Sequence, residues 1–160
     1  MSPDPGRADD RSFTAVIEPG LIEQGLIEPG LSGRGPLASG EPGAMGLRLA
    51  VKDIIDMAGW TTTLGSRVIA QHADPAERDA ACLAHWADEG AIIVGRTNLH
   101  ELAFGASGIN SSMGTPVNPL GAGLIPGGSS SGNATALRSG QCDIAIGTDT
   151  GGSVRIPAAC

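Results

Sequence analysis

Tyrosine is absent from the 160-residue chain, aromatic residues make up 2% of it, and lysine occurs once, at Lys52. Cysteine is scarce as well. Cys82, Cys142 and Cys160 are odd in number and widely spaced, and no CxxC occurs. That pattern argues against a disulfide framework or a zinc site and for small buried apolar side chains. No apolar run approaches the roughly 20 residues that a bilayer span needs, so no membrane partner is expected. The start, Met1-Ser2-Pro3-Asp4-Pro5-Gly6, lacks the basic-then-apolar pattern of a secretory signal, and the expected location is the cytoplasm. Positive charge is also short. The net charge is −7 and the pI about 4.7. An acidic surface repels phosphate backbones, so direct nucleic-acid binding is not expected.

What remains is globular in composition, 41% hydrophobic and 17% charged. A domain of this length buries roughly 70% of its unfolded surface. The 25 glycines point to much loop and turn, with small side chains at close contacts. Residues 1–43 stand apart. They hold seven acidic and three basic residues, many Pro and Gly, and a five-residue unit read three times, Ile17-Glu18-Pro19-Gly20-Leu21 to Ile27-Glu28-Pro29-Gly30-Leu31. Three copies are too few for a solenoid, and Pro-Gly pairs break helices. A flexible or loosely packed leader is expected there.

From Gly46 the pattern changes to α/β. Leu47 to Val51 reads as a buried strand ending at Lys52-Asp53. Asp74-Pro75-Ala76-Glu77 reads as a capped helix start, with the helix running to about Glu89 and Gly90 ending it. Ala91 to Val94 suits a strand covered on both faces. Strand, helix, strand predicts a βαβ unit in a mainly parallel sheet. Helices are expected near Asn98 to Phe104 and Asn133 to Arg138, and a buried strand over Cys142 to Ile146.

Three places carry chemistry. The nine other basic residues are arginine, which cannot lose a proton near neutral pH. Lys52 is therefore a candidate general base, the alternative being a buried ion pair with Asp53 or Asp56. Gly127-Gly128-Ser129-Ser130-Ser131-Gly132 is either a loop that aims hydroxyls and N–H groups at one point or a plain flexible linker. Thr148 to Arg155 follows a strand and precedes an expected helix. Its backbone N–H groups suit an oxyanion hole with Ser153 as nucleophile, Asp149 and Arg155 pairing to hold the loop. The alternative is a phosphate-binding or plain tight turn. Gly128 to Gly132 also matches GxSxG, but that elbow needs a later histidine and none follows His100. A P-loop is excluded by the missing GK[ST] ending. His72, His85 and His100 read as ordinary side chains, with His85 and Glu89 spaced for a helix contact.

Taken in order, Leu49 to Asp56, Gly95-Arg96-Thr97-Asn98-Leu99-His100-Glu101-Leu102-Ala103, Asn118-Pro119 with Pro126 to Gly132, and Gly147 to Ala158 resemble the amidase-signature family, over roughly Gly46 to Cys160. The resemblance implies a mixed sheet flanked by helices, with residues 44–160 as a partial amidase domain. It implies catalytic Lys52, a bridging Ser129 after a cis peptide bond, and Ser153 as nucleophile. It also implies an oxyanion hole from Thr150, Gly151, Gly152 and Ser153, supported by Ser130, Thr148, Asp149 and Arg155. The expected substrate is a small-molecule amide, cleaved through an acyl-enzyme, with no metal or organic cofactor. Two rivals stay open: a glutaminase-type subunit of a tRNA-dependent amidotransferase, which needs partner subunits, and a non-catalytic truncated fragment. Family members are longer, and their further part supplies sheet strands and much of the acyl pocket. A sheet edge left exposed here favours association, so a homo-oligomer is left open.

Overall fold

The computed structural model describes residues 13–16 and 46–160. The pentapeptide repeat lies outside them, as does the side chain of His85 with its expected contact to Glu89. Four strands form one mixed sheet in the order β1-β3-β2-β4. They are β1 (Phe13–Val16), β2 (Arg48–Lys52), β3 (Ile92–Thr97) and β4 (Ile144–Ile146). β2 is parallel to both β3 and β4, pairing Leu49 with Ile144 and Lys52 with Thr97, while β1 runs antiparallel along β3. The strand at residues 13–16 falls within the stretch expected to be a leader. The helices are α1 (Arg67–His72), α2 (Ala81–Asp88), α3 (Ser131–Arg138) and α4 (Arg155–Ala159). Among the described residues, no helix is long and apolar enough to cross a membrane.

The strand period of two decides what β2 does. Leu49 and Val51 enter one core cluster with Ile55, Met57 and Leu83, bordered by Trp60, Trp86 and Ile93. Each fully buried aliphatic side chain there contributes roughly 1.5–3 kcal/mol. Ala50 enters a second, thinner cluster with Ala136 of α3 and Cys142. Lys52, two residues beyond Ala50, comes out on the α3 side.

Several expectations need correction. The Asp74 cap is not used, and the helix starts at Ala81. Ala76 pairs instead with the loop after β2, through Gly59 N to Ala76 O at 2.9 Å and Ala76 N to Trp60 O at 3.0 Å. Ala80 N donates to Asp56 O at 2.9 Å, and the Asp79 carboxylate takes Ala58 N at 2.8 Å. These tertiary bonds outbid the local cap. β3 begins one residue late and extends to Thr97, and Ile92 at its start is exposed. β4 is shorter than expected and half-buried, because it is the outer strand. In place of a helix over Asn98 to Phe104 there is a single 3-10 turn, Glu101–Ala103, in which Leu102 and Ala103 have positive φ. Cys142 is buried as expected, whereas Cys82 and Cys160 are exposed.

Candidate active site

β2, β3 and β4 are parallel, so their carboxyl ends open on one edge, and loops from that edge meet there. Lys52 ends β2. Its side chain is fully buried. Nζ donates to Ser129 Oγ at 2.8 Å and to Thr148 Oγ1 at 3.0 Å, with Thr148 O at 3.5 Å. Three acceptors meet three donors, and none is a carboxylate. Burial pushes the Lys52 ammonium down from 10.5 to about 8, against the opposing charge of Asp149. The alternative ion pairs are overturned. Asp53 turns away and meets Arg96 Nη2 at 2.7 Å, and Asp56 accepts the Thr62 hydroxyl at 2.7 Å. Arg96 Nη2 also donates to Ile55 O at 3.0 Å, which locks the Asp53 side of the turn.

Ser129 is fully buried and follows a cis Gly128–Ser129 peptide bond. Its carbonyl accepts His100 N at 3.0 Å, and Asn98 O accepts Gly132 N at 2.9 Å. Ser130 N donates to Ser153 O at 3.0 Å, which lays the two serine loops side by side. Such close contact needs glycine. A Cβ at Gly128 would lie 2.6 Å from Gly105 O, and one at Gly147 would lie 2.8 Å from Asn133 Nδ2. Among the described residues Ser130 Oγ is buried without a partner, and it borders a separate hollow of about 560 Å³ beside α3 and α4.

Asp149 organises the second loop. Its carboxylate accepts Gly152 N at 2.7 Å, Val154 N at 3.0 Å and Arg155 N at 3.2 Å, and pairs with Arg155 Nη2 at 2.8 Å. The Arg155 guanidinium and these N–H groups hold its carboxyl well below the usual range. Of the four N–H groups expected to face a substrate oxygen, that of Gly152 is therefore engaged. Those of Thr150, Gly151 and Ser153 have no partner among the described residues. Ser153, Thr150, Gly151 and Gly128 line an open cavity of about 310 Å³, bordered also by Ala103 to Ala106 and Ile156.

That border was not legible in the sequence, which placed Phe104 at the end of an expected helix where the structure has a single 3-10 turn. Asn133 was also missed. Its Oδ1 takes the Thr97 hydroxyl inside the sheet–helix contact. An Asn within a helix, where its side chain competes with the backbone, was the available signal. Among the described residues, neither His72 nor His100 lines the cavity. Among the described residues, no three His, Cys, Asp or Glu groups are arranged to hold a metal ion.

The amidase family profile matches residues 35–160. The chain belongs to the amidase-signature family. It is 43% identical over 123 residues to a glutamyl-tRNA(Gln) amidotransferase subunit from Burkholderia pseudomallei (strain 668), covering 76% of this chain and 24% of that one. A protein of the same description from Chlorobaculum parvum (strain DSM 263 / NCIMB 8327) is 38% identical over 152 residues, covering 94% and 30%. The crystal structure of the corresponding glutamyl-tRNA(Gln) amidotransferase subunit from Thermotoga maritima superposes with a TM-score of 0.70 at 32% identity, covering 94% of this amidase-family chain and 30% of that one. The chain thus spans about a quarter to a third of the length of these relatives.

Proposed function

We propose that this chain carries the catalytic centre of an amide-bond hydrolase, with Ser153 as nucleophile, Ser129 as proton relay and Lys52 as base. The observation that carries the reading is the fully buried Lys52, held 2.8 Å from Ser129 Oγ by hydroxyl and carbonyl groups with no carboxylate partner among the described residues. A structural lysine in a buried pair would sit on an acid.

With an ordinary lysine, on the order of 0.03% is neutral at pH 7; with a value of about 8 the share is roughly a tenth. Neutral Lys52 accepts the Ser129 proton while Ser129 Oγ accepts that of Ser153. Ser153 Oγ then bonds to the amide carbon, and the N–H groups of Thr150, Gly151 and Ser153 stabilise the charge on its oxygen. The proton returns through Ser129 to the leaving nitrogen, the C–N bond breaks, and ammonia or an amine departs. Water bonds to the acyl carbon, gives its proton to the Ser129–Lys52 pair, and releases the acid with free Ser153. No step draws on a metal or organic cofactor.

The reading is tested by a fluorophosphonate serine probe, mapped by mass spectrometry on native and urea-denatured chain, together with ammonia release from simple amides. Native-only labelling of Ser153 that disappears in Lys52→Ala supports it. A folded sample that labels and turns over no faster than Ser153→Ala sinks it, and the non-catalytic reading then stands. The shared description of the relatives favours a second reading, a glutaminase-type subunit working with partner subunits. Ammonia release from glutamine, rising only when such subunits are added, is its signature.

A further inference from the structure

Asn110 lies in an irregular loop, 1% exposed, far along the chain from Lys52, Ser129 and Ser153. Its side-chain amide is fully used. Nδ2 donates to Gly65 O at 2.8 Å and Leu99 O at 2.7 Å, with Asn98 Oδ1 at 3.4 Å. Oδ1 accepts Ser112 N and Met113 N, each at 2.8 Å. Four strong bonds saturate what one amide can make. They join three segments: the turn after β2, the chain after β3, and the loop that follows Asn110. Gly65 records how close the approach is. Its φ is +68°, and a Cβ there would lie 2.8 Å from Asn110 Nδ2.

The middle segment matters most. The carbonyl that Asn110 holds belongs to Leu99, and both neighbours of Leu99 grip the loop around Ser129. Asn98 O takes Gly132 N at 2.9 Å, and His100 N donates to Ser129 O at 3.0 Å. Lys52 Nζ donates to the side chain of the same Ser129, at 2.8 Å. We infer that Asn110 is a positioning residue. Through Leu99 it fixes the two backbone bonds that hold Ser129 within reach of Lys52. The inference rests on the reading of Lys52, Ser129 and Ser153 given above.

A merely structural role lowers the folded fraction and nothing else. A positioning role also changes how Lys52 titrates, because a displaced Ser129 loop admits water to the ammonium. The charged group facing Lys52 is Asp149, from the loop after β4, while Asp53 is taken by Arg96. Neither makes a hydrogen bond to Asn110 itself. The experiment measures the rate of Ser153 labelling by a fluorophosphonate against pH for the whole chain, with the folded fraction followed by tryptophan fluorescence. Asn110→Ala removes the donors to Gly65 and Leu99 and the acceptor for Ser112 and Met113 without adding a charge that would itself raise the Lys52 value, and Asn110→Ser is the milder change. Leu83→Ala, in the core on the opposite face of the sheet, is the destabilised control. The expected result is a loss of about tenfold or more in labelling per folded molecule, the scale on which misplacement acts. The pH midpoint rises from near 8 towards that of free lysine, while Leu83→Ala keeps the wild-type midpoint. Folded Asn110 variants with wild-type rate and midpoint overturn the inference and leave the catalytic reading standing. If neither variant folds where the wild type does, Asn110 is a determinant of the fold alone and the inference is overturned. If wild type labels no better than Ser153→Ala, the catalytic reading falls and takes the inference with it.

Discussion

Lys52 Nζ sits 2.8 Å from Ser129 Oγ, and both side chains are closed to solvent. Burying an ammonium without a carboxylate is a cost the fold carries, and the sign of its pH dependence follows. The folded value is about 8 and the ordinary one 10.5. Below pH 8 both folded and unfolded chains hold the proton, and the full penalty applies. Between about 8 and 10.5 the unfolded chain binds more protons, so stability rises with pH across that window. Lys52→Met removes a penalty of up to ~3 kcal/mol but leaves two hydroxyls without a donor, at about 1 kcal/mol. The variant is expected to be roughly 1–2 kcal/mol more stable at pH 7 by urea titration, on the scale set by those two effects. The advantage shrinks towards pH 10, and Ser153 labelling is lost.

Asp149 acts on the site in two opposite ways. Its carboxylate ties Gly152, Val154 and Arg155 together, and its charge raises the Lys52 value. Asp149→Asn therefore slows Ser153 labelling, by about 10²-fold if the N–H groups of the loop move by an ångström. The same change moves the pH midpoint of what remains downward, below 8, because the favourable charge is gone. A midpoint that moves up instead contradicts the assignment of Asp149 as the group facing Lys52.

How far the sequence could be read depends on where each residue finds its partners. β2 was visible because Leu49, Ala50 and Val51 are apolar on both faces, and Lys52 because no other lysine competes with it. α3 and α4 follow the glycine-serine loops that announce them. The start of α2 was misread because Asp74 and Pro75 form a good local cap. The bonds that displace it come from Asp56 to Trp60, and no local rule sees them. The Gly152 N–H was expected in the oxyanion hole for the same reason. Spacing alone does not reveal that the Asp149 carboxylate folds back onto it. α1 offered no signal, since none of its residues is buried and no amphipathic period marks it.

The Asp53–Arg96 pair is a buried charge arrangement next to Lys52 in the chain, and in it acid meets base directly. The two side chains meet at 2.7 Å, each 1% exposed. Removing one partner of a buried pair costs about 3–5 kcal/mol, because the other charge stays in the core. Asp53→Asn is expected to lower the urea midpoint by that order. Asp53→Leu combined with Arg96→Met recovers much of the loss, as apolar replacements of buried pairs often do. A double variant as weak as the single one shows that the pair also serves the turn through Ile55 O and Thr62 Oγ1, which Arg96 Nη2 reaches at 3.0 and 3.2 Å.

Two glycines beside Ser153 give the cleanest steric contrast. A Cβ at Gly128 would meet backbone atoms, Gly105 O at 2.6 Å and Gly108 N at 2.7 Å, and neither can rotate away. A Cβ at Gly151 meets nothing within 4 Å. Both residues line the cavity beside Ser153, so a general intolerance of bulk at the site would penalise both alike. The structure separates them. Gly128→Ala forces the Ser129 loop away from the segment at Gly105 and Gly108, at a cost of roughly 1–3 kcal/mol, and abolishes native labelling. Gly151→Ala folds with the wild-type urea midpoint, and any loss of labelling in it comes from the added methyl group reaching into the cavity. Equal destabilisation of the two variants contradicts the packing described here.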